Sequence, residues 1–300
     1  MAEVILVDSG DRKSAIDAIF DRIGVEQFKG MHVAIKANFN SADPFPASTH
    51  EETLAGVISG LKDGGARDIV LAERSGMGVT REVLEERGIF RMSRALGFRV
   101  VVIDDTGPDG FAGIPPDGLH WKRGFLIARV FTDADRVVQT CCLKTHRFGG
   151  HFTLSLKNSV GCIARYDPAG GYDYMHELHS SPHQRLMIAE INKFYHTDLV
   201  IMDATQAFVK GGPDTGDLVR PGLMIAGNDR VAVDAAGVSL LRSYGSTKEV
   251  MKGPVFSLEQ IARAAELGAG VSTPSGIDLV PLDKKSKAAA ERIREYLDAG

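Results

Sequence analysis

Residues 31–72 read MHVAIKANFNSADPFPASTHEETLAGVISGLKDGGARDIVLA, and this stretch decides the fold. Its first seven residues are a short apolar strand that ends at Lys36 and Asn38. A Pro-rich loop follows. Ser48 or Thr49 is placed to cap a helix over 51–62, because a hydroxyl there accepts the free amides of a first turn. Gly64 and Gly65 stop that helix. DIVLA, residues 68–72, is then the next strand.

The same alternation continues in both directions. Strands are expected at 4–7, 99–103, 136–142, 197–203, 223–226 and 277–280. Helices are expected at 14–23, 80–87, 90–96, 182–194, 230–241, 258–267 and 284–297. Apolar strands joined by helices predict an α/β fold, a mostly parallel sheet with helices on both faces. The Gly- and Pro-rich residues 106–118 divide the chain into an N-terminal α/β portion, 1–105, and a C-terminal portion, 119–300, unless one continuous domain runs through them.

Composition narrows the function. The chain has 35 Lys and Arg against 39 Asp and Glu, a net charge of −4. Nucleic acid requires a basic face, so it is not expected as a partner. No apolar run has the length of a membrane span, roughly 20 residues, so no membrane partner is expected. The N-terminus reads as a strand rather than a signal peptide. Three cysteines without a signal fit a reducing, cytoplasmic setting. Oligomerisation is left open.

In open parallel sheets, ligands bind beyond the carboxyl ends of the strands. Those ends carry the polar residues here. The richest segment is CCLKTHRFGGHFTLSLKNSVG, residues 141–161. Lys144 and Lys157 offer point charges to a carboxylate or phosphate. His146 and His151 are candidate acids, bases or metal ligands. Gly149 and Gly150 allow close backbone approach, and Asn158 adds a polar contact. Lys36, Asn38 and His50 surround the Pro-rich loop at a helix start, where the dipole favours an anion. Gly212, in KGGPDTG (210–216), belongs to a tight loop whose backbone is expected to line the pocket. His176 and His179 lie three apart, a spacing that suits a metal pair or proton relay on one helix face. The bland readings are a glycine turn with solvated cations, an ordinary strand-to-helix loop, and a lid or interface rich in histidine.

Several chemistries lack their patterns. There is no GxGxxG after the first strand, so no NAD site is expected. Cys141, Cys142 and Cys162 have no iron–sulfur spacing and read as buried small hydrophobes. No GxSxG elbow is present.

The pieces KANFN…STH, LKTHRFGGHFTLSLKNSVG, MDATQAFVKGGPDTG and AGNDRVAVDA occur in one order across most of the chain. Together they resemble the family known as domain of unknown function 362. Many members carry a ferredoxin-like iron–sulfur module, whose cysteines this chain lacks. A more distant resemblance is to the nickel-pincer lactate racemases. It implies a metallocofactor carried by His146, Gly149, Gly150 and Lys157, with His176 or His179 as a further ligand or base.

The resulting expectation is an enzyme acting on a small anionic molecule, with isomerase- or racemase-like proton or hydride chemistry. His146, Lys157, His151 and His179 are the candidate catalytic residues. Lys36, Asn38, His50, Lys144, Asn158, Gly149, Gly150 and Gly212 are the candidate ligand contacts. A divalent metal or nickel-type metallocofactor would fall to His146, His176 and His179. The alternatives are a non-catalytic carrier of a metal or metallocofactor and an interaction protein whose histidines form a subunit interface.

Overall fold

The computed structural model describes residues 1–299. The N-terminal run is β1 (Ala2–Asp8), α1 (Arg12–Ile23), β2 (His32–Lys36), α2 (Glu51–Asp63), β3 (Asp68–Glu73), α3 (Thr80–Glu86), α4 (Ile89–Leu96) and β4 (Arg99–Val102). Next come β5 (Phe111–Ile114), β6 (Phe125–Ala128), α5 (Arg129–Thr132), β7 (Arg136–His146), β8 (His151–Thr153), α6 (Ser155–Asn158), α7 (Tyr174–Ser180) and α8 (Gln184–Ile191). The remainder is β9 (Leu199–Gly211), β10 (Gly216–Val219), β11 (Leu223–Gly227), α9 (Arg230–Ser243), α10 (Lys248–Met251), α11 (Glu259–Glu266), β12 (Ile277–Pro281) and α12 (Lys284–Asp298).

One ten-stranded sheet organises the molecule, in the order β12-β1-β11-β9-β7-β2-β3-β4 with β8 and β10 on its flanks. It is mostly parallel. β11 runs against both β1 and β9, so the sheet is mixed. Strands from both sides of residues 106–118 join it, since β2 pairs with β7.

The strands bury both faces, and alternate residues choose the face. Val33 and Ile35 of β2 pack beneath α1 and α2, whereas Ala34 faces the β5–β6 hairpin. Leu199 and Ile201 of β9 join the first layer, and Val200 and Met202 pack against α9 and α12. No helix among the described residues is long and apolar enough to cross a membrane.

Several local expectations are corrected. His50, not Ser48 or Thr49, caps α2: its Nδ1 accepts the Glu52 amide at 3.2 Å. Thr49 Oγ1 instead accepts the Asn38 amide at 2.8 Å, and Ser48 Oγ donates to Ser41 O. Residues 106–118 contain β5, which pairs with β6. The strand expected at 136–142 extends to His146, so Lys144 and His146 lie on it rather than after it. The extension pairs with β8 and keeps to β9 through a register shift, which satisfies its backbone.

Candidate functional site

The carboxyl ends of β2, β3 and β7 lie side by side, and α6 and α7 close over them. They enclose a cavity of about 230 Å³. β2 brings Lys36 and Asn38, β3 brings Glu73 and Arg74, and β7 brings Lys144 and His146. α6 contributes Lys157 and Asn158, and α7 contributes Met175 and His179.

The cavity floor is a closed polar network. Lys36 Nζ donates to Glu73 Oε1 at 2.6 Å, to Asn158 Oδ1 at 3.2 Å and to the Ala37 carbonyl. Glu73 also accepts the amides of Arg74 and Phe39. Lys144 Nζ donates to Asn38 Oδ1 at 2.8 Å and to the Ala47 carbonyl. The Arg74 guanidinium is held by the carbonyls of Val160 and Ile163. Burial pushes the Glu73 carboxyl up, with Lys36 pulling against it, and pushes Lys144 and Arg74 down.

Two side chains stand outside this network. Among the described residues, Lys157 has no acidic partner. Burial, aided by the charges of Lys144 and Arg74, lowers its ammonium to about 7. His146 is buried and its Nδ1 has no hydrogen-bond partner among the described residues. Burial first, then Lys157 and Lys144, hold its pKa far below the usual range, so the imidazole is neutral. Gly150 lets the two lie close. A Cβ there would stand 2.7 Å from Lys157 Cε and 3.1 Å from His146 Nδ1.

Glu73 is the lone acid lining the cavity among the described residues, against Lys36, Arg74, Lys144 and Lys157. Beside the Lys36–Glu73 pair, Arg74, Lys144 and Lys157 line the cavity with no second acid among the described residues, and burial weakens the hold of each on its proton. Such a site favours an anion, whose desolvation those charges offset.

Not every expected residue is here. His50 is the α2 cap. His151 adopts φ 64°, and its half-buried ring is surrounded by Arg185, Glu249 and Glu259 rather than the cavity. His176 is exposed and does not line it. Gly149 sits against Gln184, where a Cβ would meet Oε1 at 2.3 Å. Gly212 packs on β7 with φ 64°, and Pro213 after it reaches the cavity. A Cβ at Gly212 would stand 2.0 Å from the Thr145 carbonyl oxygen. Gly212→Ala is therefore expected to displace the 211–216 turn and lower the melting temperature, whereas Gly245→Ala, with nothing nearby, carries only the strain of its own positive φ.

Glu73, Arg74, Thr153, Met175 and Gly161 were not among the expected contacts, yet they line the cavity. Glu73 and Arg74 had a legible signal, since they end a strand as Lys36 does. Gly161 had none: its missing Cβ leaves room for Lys36 Cε, 2.5 Å from where that Cβ would stand.

A bare divalent metal does not fit the cavity. No three His, Cys, Asp or Glu side chains converge as ligands among the described residues, and His176 stands apart from His146 and His179. The unpaired cations would also repel a second positive charge. Cys141, Cys142 and Cys162 are free and buried, and burial raises their thiols.

No curated protein matches the sequence. Among solved structures, the lactate racemase apoprotein from Thermoanaerobacterium thermosaccharolyticum is similar at 11% identity. The alignment covers 96% of this chain and 85% of that chain, with a TM-score of 0.46. That likeness is too slight to bear on the site. The model of the family described as Domain of unknown function (DUF362) matches residues 33–239. The matched span holds every cavity-lining residue and more than half of the chain, and the protein belongs to the DUF362 family.

Proposed function

We propose that this protein is an enzyme that binds a small carboxylate- or phosphate-bearing molecule and moves a proton on it, as an isomerase or racemase does. The observation that carries this reading is the pairing of a partnerless Lys157 with a neutral, partnerless His146 inside a cationic cavity. A neutral imidazole accepts a proton once a bound anion offsets the Lys157 and Lys144 charges that help to hold its pKa down, and an ammonium with a pKa near neutrality returns one. Lys144 and Arg74 offset the charge of the anion. Arg74 also fixes the 160–163 turn through its carbonyl contacts.

Calorimetric titration with phosphate and short carboxylates tests binding, and deuterium uptake by the bound carboxylate in heavy water tests proton transfer. Lys157→Ala is expected to weaken anion binding about 10- to 100-fold, the worth of one charge-assisted hydrogen bond. His146→Ala should slow exchange by roughly 10²-fold or more while binding changes little. Binding should also depend on pH. Lys144, Arg74, Lys36, Glu73, His146 and His179 surround Lys157 in the cavity. Its lowered pKa of about 7 means that its charge is lost as pH rises through that value, so anion affinity falls there. Affinity that is flat from pH 6 to 8, or unmoved by Lys157→Ala, would sink the assignment. Binding without exchange would leave an anion-binding protein rather than an enzyme.

A further inference from the structure

Three lysines line the cavity, and the structure gives them different freedoms. Lys36 spends its three N–H bonds on Glu73, Asn158 and Ala37. Lys144 spends two on Asn38 and Ala47 and is fully buried. Among the described residues, Lys157 has no acidic or hydrogen-bonding group acting on it, and its side chain is not fully buried. The cavity walls also include the apolar side chains of Val160, Met175 and Phe148.

We propose that Lys157 is a nucleophile that forms an imine with the carbonyl carbon of a small 2-oxo acid, an inference that rests on the anion-binding reading above and names its substrate class. The amine lone pair adds to the carbonyl carbon, forming the C–N bond while the C=O π electrons move to oxygen. Both amine protons then leave with that oxygen as water, and the C=N bond forms. The free Nδ1 of His146 is the near group that can carry a proton from nitrogen to oxygen, and it ends the step unchanged. Lys144 and Arg74 offset the substrate carboxylate. Protonation of the imine draws electrons from the adjacent C–H bond, which is where the proton transfer proposed above would occur. Two independent features favour the attacking form. Burial among cations leaves much of the amine unprotonated near neutral pH, as imine-forming lysines require. The absent side chain at Gly150 also keeps the Cε methylene unobstructed.

The test is reductive trapping on the full chain. The protein is incubated with pyruvate, glyoxylate or 2-oxoglutarate and sodium cyanoborohydride, and its peptides are mapped by mass. One reduced adduct per chain on Lys157 is expected, with none on Lys36 or Lys144 and none in folded Lys157→Arg protein. His146→Ala should slow adduct formation by roughly 10²-fold. Calorimetry of the same three acids separates the failures. If they bind and no adduct forms, the imine proposal is overturned and the anion-binding reading stands. If none binds, both fall. An adduct scattered over surface lysines, or one that persists in Lys157→Arg, also overturns the proposal.

Discussion

Glu73→Ala is expected to destabilise the protein by about 3–5 kcal/mol, the cost of leaving one member of a buried ion pair alone. Glu73 is 1% exposed and Lys36 2%. The substitution would strand the Lys36 ammonium and remove the acceptor from two amides, those of Phe39 and Arg74. Against a typical total stability of about 5–15 kcal/mol, this is a large fraction. Urea denaturation would show it as a lower midpoint at unchanged slope. The double variant Lys36→Met/Glu73→Leu should recover the part of the loss that comes from the stranded ammonium, because an apolar pair of similar size carries no desolvation penalty, but not the part that comes from the Phe39 and Arg74 amides. It should also keep anion binding, since the pair contributes little net charge to the cavity. A loss below about 1 kcal/mol in Glu73→Ala would contradict the structural role assigned to the buried pair.

Asp234 does not touch the cavity, yet its removal is expected to damage it. This fully buried residue of α9 accepts the amides of Ser155 and Leu156 at 2.8 and 3.0 Å, and the Ser155 hydroxyl. It therefore caps the single-turn helix that carries Lys157 and Asn158. A four-residue helix has little stability of its own, so its position is borrowed from α9. Asp234→Ala should cost about 2–3 kcal/mol through the orphaned amides. It should also weaken phosphate binding in protein that remains folded. The effect depends on pH. Burial raises the Asp234 carboxyl from 3.8 to about 7, against its hydrogen bonds. The folded state thus holds the proton more tightly than the unfolded state. The stability arising from that difference is full below about 4 and lost as pH rises through about 7. Wild type should lose this contribution between pH 4 and 7, and Asp234→Asn should not. Parallel stability profiles for the two would contradict the assignment.

Much of the candidate site was legible because strand ends are legible. Lys36, Asn38, Lys144 and His146 follow or finish apolar runs, and in a parallel sheet such ends share one rim. Lys157 and Asn158 were caught by the density of reactive side chains around them. The histidines were harder to sort. His50, His151, His176 and His179 look alike in sequence, but one caps a helix, one opens β8 with a left-handed backbone, one faces solvent and one borders the cavity. Which fate each took depends on side-chain direction, and periodicity does not reach that for short helices and turns.

By itself, the sequence determined the α/β class, the strands buried on both faces and the cationic character of the sheet's rim. Hydrophobic period and residue type are local properties, and they survive in any arrangement of the chain. Only the tertiary structure decided which charges cancel. It placed β2 between β3 and β7, so Glu73 meets Lys36 and leaves Lys157 unpaired. That outcome turns on contacts between residues dozens of positions apart, and on burial that strengthens each charge's effect on its neighbours.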